Sequence, residues 1–285
     1  MIATIEISCL NEKGKRRNNE DSLYPPKGLA TPRDLFFIVC DGVGGENKGE
    51  VASEIVCTSI SSHIKKQGFP LADARQAIEK AVIYANQKLV EYAAGNILAK
   101  RMSTTMALVV LGQQSITAAW CGDTRIHHIR DGRLLWKSKD HSLVQELVKR
   151  GEISEAEARS HPNKNVITRS LNALNTNNEV DFHEITNCRN NDFFLLCTDG
   201  FLEQIDDDLL FSVLNNDREK DKAKEFFNIC DGKTKDNFSM YLIKVTAAGP
   251  AKPQSRSPRP VLVTSIIVVI GIIIWLLIRT IGLKK

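Results

Sequence analysis

The sequence predicts an α+β fold, and three observations carry that reading. Short apolar, β-branched runs recur along the chain and stop at turn residues, as strands do. Two long stretches between them repeat apolar residues at helical spacing instead. Strands that follow one another through tight turns imply antiparallel sheets rather than a doubly wound parallel one.

In chain order, residues 4–10 and 35–40 read as the first strands. Residues 50–67 then carry Val51, Ile55, Ile60 and Ile64, and residues 71–94 carry Ile78, Val82, Ala85, Leu89 and Tyr92, each set near helical spacing. Residues 105–111 and 115–121 return to strand composition. Residues 125–130 and 133–136 flank Asp131-Gly132, a pair that favours a two-residue hairpin because both positions tolerate positive φ. Ser142 suits the N-cap of a helix over 143–149. Residues 142–190, polar and rich in Asn and His, read as an insert or flap over the core. A strand at 193–197, a helix and a strand at 238–245 complete the pattern, with no internal repeat.

The formal charge of the 285-residue chain is +4, from 38 basic and 34 acidic residues. Its distribution argues against a nucleic-acid binder. Residues 247–285 hold six of the basic residues (Lys252, Arg256, Arg259, Arg279, Lys284, Lys285) and no acid, leaving 32 against 34 in residues 1–246. The body of the protein is therefore slightly acidic, and Lys13, Lys15 and Arg17 read as parts of a solvated loop. The seven cysteines form no C-x-x-C pair, which speaks against a zinc knuckle or a thioredoxin-like site. No C-x5-R is present, so a cysteine-nucleophile phosphatase is excluded. Cysteines inside apolar runs, such as Cys40 and Cys197, read as reduced core residues.

Residues 261–278 are 18 consecutive residues without charge, and Trp275 stands near one end. As a helix they would extend about 27 Å, close to the roughly 30 Å of a bilayer's hydrocarbon. The preceding residues 247–260, rich in Pro, Ser and basic side chains, read as an extended linker. Three basic residues lie on each side of the span, so charge does not decide its orientation. The start of the chain lacks an apolar signal region, and free cysteines suit a reducing compartment. The expectation is a single-pass protein anchored at its C-terminus, residues 279–285 forming a short basic tail and the large domain facing the cytoplasm.

Acidic residues recur where strands stop or start. Asp41-Gly42 closes one apolar strand and Asp199-Gly200 another. Gly122-Asp123 closes a third, Asp236-Asn237 opens the last, and Glu20-Asp21 follows a basic run. Carboxylates at strand ends can converge on one cleft, where their repulsion opposes ionisation unless cations sit among them. Asp oxygens without His or Cys select hard cations such as Mn²⁺ or Mg²⁺. Hard cations beside an Arg suit phosphoryl chemistry, because both stabilise charge on phosphate oxygens.

These residues carry a resemblance. Arg16 to Asp21 (RRNNED), Val39 to Gly45 (VCDGVGG) and Gly49 to Ser53 (GEVAS) are similar to the opening of the metal-dependent protein phosphatase family, of the protein phosphatase 2C type. Met102-Ser103-Thr104-Thr105, Trp120 to Arg125, Asp140-His141-Ser142, His161-Pro162, Val166 to Arg169, Cys197 to Gly200 and Asp236-Asn237 continue it in order. The resemblance spans about residues 5–245 and is closest to bacterial-like members.

It implies two antiparallel sheets packed as a sandwich flanked by helices (α-β-β-α), with two Mn²⁺ or Mg²⁺ ions at one edge. Asp41 would ligate both ions and the Gly42 carbonyl one of them. Asp199 and Asp236 would complete the shell of the other ion. Asp21 would hold metal or its water, with Glu20 behind it. Asp123 would join Asp199 at a third, weaker site. Arg16 would grip the substrate phosphate, and Arg17 would be a bystander. The implied reaction is hydrolysis of phosphoserine and phosphothreonine in proteins by a water shared between the two metals. A phosphoprotein substrate and an opposing Ser/Thr kinase are the implied partners, with no nucleic acid. Val43 stands where some members carry a His proposed as general acid. Of the six histidines, His161 is the nearest candidate for that role, and its plainer reading is a structural flap residue. The alternative is a catalytically inactive, membrane-tethered phosphoprotein-binding module. The retention of Asp21, Asp41, Asp199 and Asp236 argues against it.

Overall fold

A computed structural model describes residues 2–248 apart from 44–47, 70, 113–114, 175–178 and 217. The chain divides into two units, Met1–Ala251 and Lys252–Lys285. The linker beyond residue 248, the apolar span at 261–278 and Gly44-Gly45 lie outside the described residues. Among the described residues no helix is long and apolar enough to cross a membrane.

Two five-stranded sheets, antiparallel at every pairing, form the centre of the first unit. One runs in the order β11 (Asp181–Ile185), β7 (Ile116–Cys121), β6 (Met106–Leu111), β3 (Phe36–Cys40) and β2 (Ser22–Tyr24). The other runs β1 (Ile2–Glu12), β13 (Phe238–Ala248), β12 (Phe193–Cys197), β8 (Arg125–Arg130) and β9 (Arg133–Lys137). The alternation of side chains along a strand sorts the core into three layers. Phe36, Ile38 and Cys40 of β3 pack on α1 (Gly49–Gln67) and α2 (Ala74–Gly95) through Val56, Ile60, Val82 and Leu89. Phe37 and Val39 of the same strand face the second sheet, meeting Phe194, Leu196 and Tyr241. Leu195 and Cys197 of β12 point the other way, onto Phe201, Leu210 and Phe226 of the helices that follow. The layering is α-β-β-α.

The structure refines the sequence reading at three places. Helix α2 starts at Ala74 rather than at residue 71, because the Asp73 side chain accepts the Gln76 N–H at 2.9 Å and caps it. Between β12 and β13 lie three short helices instead of one: α5 (Asp199–Leu202), α6 (Asp207–Leu214) and α7 (Lys222–Cys230). Asp206 and Asp221 cap the latter two, which is why the chain restarts there. The polar segment 142–190 contains α3 (Leu143–Lys149), capped by Ser142, and α4 (Glu155–Ser160), but its end joins the first sheet as β11. Only Ile185 of β11 is buried, so an edge strand of that kind lacks an apolar signature. The hairpin between β8 and β9 turns at Asp131-Gly132 with φ of 51° and 66°, as the sequence requires. All seven cysteines are free, five of them buried.

Candidate metal centre

Each strand-end carboxylate is fixed by the backbone that carries it. Asp41 leaves β3 with its N–H donating to Thr105 Oγ1 at 3.1 Å, and its carbonyl accepts from Thr105 N–H at 2.9 Å and Thr104 Oγ1 at 2.7 Å. The next residue, in β4 (Gly42–Val43), pairs with β5 (Ser103–Thr104), itself paired with β10 (Leu171–Asn172). Gly42 is required by close approach: a Cβ there would lie 2.4 Å from the Gly49 carbonyl and 2.6 Å from the Glu20 oxygen. Its N–H donates to that Glu20 oxygen at 3.1 Å, which also accepts from Ser53 Oγ at 2.5 Å. Thus β4, the start of α1 and residue 20 meet at one point.

Thr198 binds the other side together. Its N–H donates to Ser239 O at 3.1 Å, its Oγ1 accepts from Ser239 N–H at 3.0 Å, and its hydroxyl donates to Asp21 Oδ2 at 3.2 Å. Asp199, the next residue, opens α5 at the end of β12. Asp236 and Asn237 stand at the entry of β13, and the Asp236 Oδ2 accepts from Arg16 Nη2 at 2.7 Å. Buried Asn237 accepts the Glu20 N–H and donates to the carbonyls of Lys13 and Asn18, all at 2.8 Å. The structure therefore brings Asp21, Asp41, Asp199 and Asp236 to one edge of the sandwich, with Gly42, Glu20 and Arg16 around them. Asp123 follows β7 in the turn made by Gly122, whose φ is 101°.

Electrostatics report the same convergence. Burial lifts the Asp41 carboxyl well above the usual range, and Asp21, Asp199, Asp123 and Asp236 lift it further. Asp21 is pushed up to about 7 by burial, against the Thr198 hydrogen bond and with the charges of Asp199 and Asp236. Burial also raises Asp199, with Asp236 adding to it, and takes Asp123 to about 7 with help from Asp199 and Asp140. Asp21 Oδ1 is buried without a hydrogen-bond partner. Among the described residues no three His, Cys, Asp or Glu side chains are drawn close enough to cage one ion. Asp236 is turned onto Arg16, so forming a closed shell requires side chains to rotate about backbones that are already pinned. The donor set is otherwise what a hard divalent cation takes: carboxylate and carbonyl oxygens, an orphaned anionic oxygen, and carboxyls that only positive charge would bring back to ordinary acidity.

A cleft of about 500 Å³ opens beside this edge, lined by Arg16, Arg17, Asn18, Glu20, Lys48, Glu50 and Asn237. His161 ends α4, where its Nδ1 accepts the Asn163 N–H at 3.1 Å, a local structural bond. His141 had no role in the sequence reading. Its Nδ1 accepts the Gly122 N–H at 3.0 Å, so the neutral ring carries its proton on Nε2, 3.3 Å from Asp181 Oδ2. Burial and Arg169 keep it neutral by lowering its pKa. Thr104, Thr105, Thr198 and Asn237 were visible as motif residues, but nothing in the sequence gave their hydrogen bonds.

Comparison with known proteins identifies the family and the fold. The family model described as Protein phosphatase 2C matches residues 15–237. A putative protein phosphatase 2C-type of Streptococcus pyogenes is 32% identical over 217 residues, 74% of this chain and 85% of that protein. The serine/threonine phosphatase stp of Listeria monocytogenes is 30% identical over 216 residues, 74% of this chain and 83% of its own length. The crystal structure of the Mycobacterium tuberculosis serine/threonine phosphatase PstP/Ppp superposes with a TM-score of 0.74 at 26% identity, covering 86% of this chain and 100% of that one. A PstP catalytic domain in complex with two manganese ions gives 0.72 at 25% identity, covering 86% and 99%. The chain belongs to the protein phosphatase 2C family and is a protein serine/threonine phosphatase of that type.

Proposed function

We propose that this chain hydrolyses phosphoserine and phosphothreonine in proteins at the sandwich edge, using two Mn²⁺ or Mg²⁺ ions held by Asp41, the Gly42 carbonyl, Asp199 and Asp236. The observation that carries the reading is the convergence of Asp21, Asp41 and Asp199 from three different strand ends, each carboxyl's pKa raised by burial and by neighbouring carboxylates. Such a cluster is unfavourable without cations and favourable with them. When bound, the ions make a water acidic enough to attack at neutral pH and offset charge developing on the phosphate. Asp41 would ligate both ions, as the family resemblance implies. Asp21 would hold a metal or its water with Glu20 behind it, and Asp123 with Asp199 would form a third, weaker site. Arg16, more than half exposed and 2.7 Å from Asp236, stands where its fork can release that carboxylate and take a phosphate's oxygens. Because Val43 cannot donate a proton, water or another group protonates the leaving alkoxide.

The tail is proposed as a membrane anchor on its 18 uncharged residues, with the catalytic unit on the cytoplasmic side. An opposing Ser/Thr kinase acting on the same phosphoproteins is the partner this implies.

The test is turnover of a phosphothreonine peptide with Mn²⁺. Asp41→Ala and Asp199→Ala should each lower kcat by two orders of magnitude or more (~10²–10³, the scale for losing one electrostatic stabiliser of a transition state). Undiminished hydrolysis in either variant, or in excess chelator, contradicts the assignment.

A further inference from the structure

We propose that the loop of residues 13–17 is a docking surface for acidic side chains flanking the phosphorylated residue of the substrate, a proposal that rests on the phosphatase reading of the adjoining cleft. Four of its five residues are cationic: Lys13, Lys15, Arg16 and Arg17, all exposed. Residues 1–246 carry 32 basic against 34 acidic residues, so this loop reverses the sign of the unit beside the cleft. Arg16 is engaged by Asp236, but Lys13, Lys15 and Arg17 form no ion pair with any described residue. Arg17 shares the cleft wall with Arg16, while the charge of Lys48 is offset by Glu50 at 3.7 Å. The uncompensated positive charge therefore belongs to the loop.

The loop is also held in shape, which separates a docking surface from a floppy basic run. Asn237 Nδ2 donates to the carbonyls of Lys13, the first residue of the loop, and Asn18, which follows its last, at 2.8 Å each. The Arg16 N–H closes a turn on Lys13 O at 3.2 Å. Gly14, at φ 57°, brings the chain against the Asp236 carbonyl so closely that an added Cβ would sit 2.0 Å from that oxygen. The backbone carrying the cations is ordered by folding itself, so binding does not have to order it. An extended peptide advances about 3.3 Å per residue. Carboxylates one to three positions from the phosphoresidue thus fall within the Debye length of roughly 10 Å at 0.1 M salt. Anionic headgroups share the charge, but Arg16 and Arg17 of the loop line the cleft, which favours the peptide.

The experiment uses the full chain with Mn²⁺ and three phosphothreonine peptides whose flanks are Glu, Ala or Lys, with a small aryl phosphate as the reference lacking flanks. The wild type should show kcat/KM for the Glu peptide about tenfold above the Ala peptide at low salt, the sum of several weak exposed pairs, and this ratio should shrink in 0.5 M salt, a concentration of roughly Debye length 4 Å. In Lys13→Gln/Lys15→Gln/Arg17→Gln the ratio should fall to within about twofold. If the triple variant does not fold, Lys15→Gln and Arg17→Gln singly should each lower the ratio by roughly twofold. A wild type without the preference, or variants that keep it, overturns the proposal. So does loss of binding to phosphatidylserine vesicles with the flank preference intact, which would make the loop a membrane contact. Failure of the wild type to hydrolyse all three peptides strikes the phosphatase reading itself, and the proposal with it.

Discussion

Asp21 shows what a strand-end carboxylate experiences in this fold. One oxygen takes the Thr198 hydroxyl, the other has no partner, and burial carries the group from 3.8 to about 7. For an acid, a raised folded-state value means that the native protein binds more protons than the unfolded chain between those limits. Stability from this group is then complete below about pH 4 and is lost as pH rises towards 7. Asp21→Asn removes the titration while keeping the shape. In chelator, the melting temperature of the wild type should fall relative to Asp21→Asn as pH climbs from about 4 to about 7. Saturating Mn²⁺ should narrow that gap, because positive charge favours the ionised form. A gap independent of both pH and metal contradicts the electrostatic account.

At the scale of elements, legibility followed side-chain periodicity. The strands β3, β6, β7 and β12 bury nearly every residue, and their unbroken apolar runs mark them in the sequence. Helices α1 and α2 were equally plain from the buried Ile60, Ile64, Ile78, Val82 and Leu89 of their stripes. The elements that escaped are those without such a pattern. β4, β5 and β10 have two residues each, and β11 buries only Ile185. Their pairing is set by neighbours distant in sequence, as when Gly42 meets Thr104. The site was legible as a set of Asp residues at strand ends and, through the family resemblance, as a set of roles. What sequence could not supply was the fastening: Thr105 on the Asp41 backbone, Thr198 between β12 and β13, and Asn237 across the basic loop. Hydrogen bonds spanning 41 to 224 positions leave no local signal.

At the scale of the whole molecule, the bulk charge of +4 resolves into parts with different tasks. The slightly acidic catalytic unit carries the carboxylates proposed to hold cations and the basic loop proposed to meet the substrate's flanks. The remaining positive charge belongs to the linker and tail, whose apolar span suits lipid. The full chain should sediment with membranes, and a chain ending at Ala248, the last residue of β13, should stay in the supernatant while still hydrolysing a soluble phosphopeptide. Equal partitioning of the two chains contradicts the anchor.

The central claim, that carboxylates from separate strand ends share divalent ions, is tested most directly by counting bound Mn²⁺ in wild type and Asp41→Asn by titration calorimetry. The account predicts about two tightly held ions in the wild type and loss of tight binding at both positions in the variant, since one carboxylate serves both. Two tight ions retained in Asp41→Asn would contradict it.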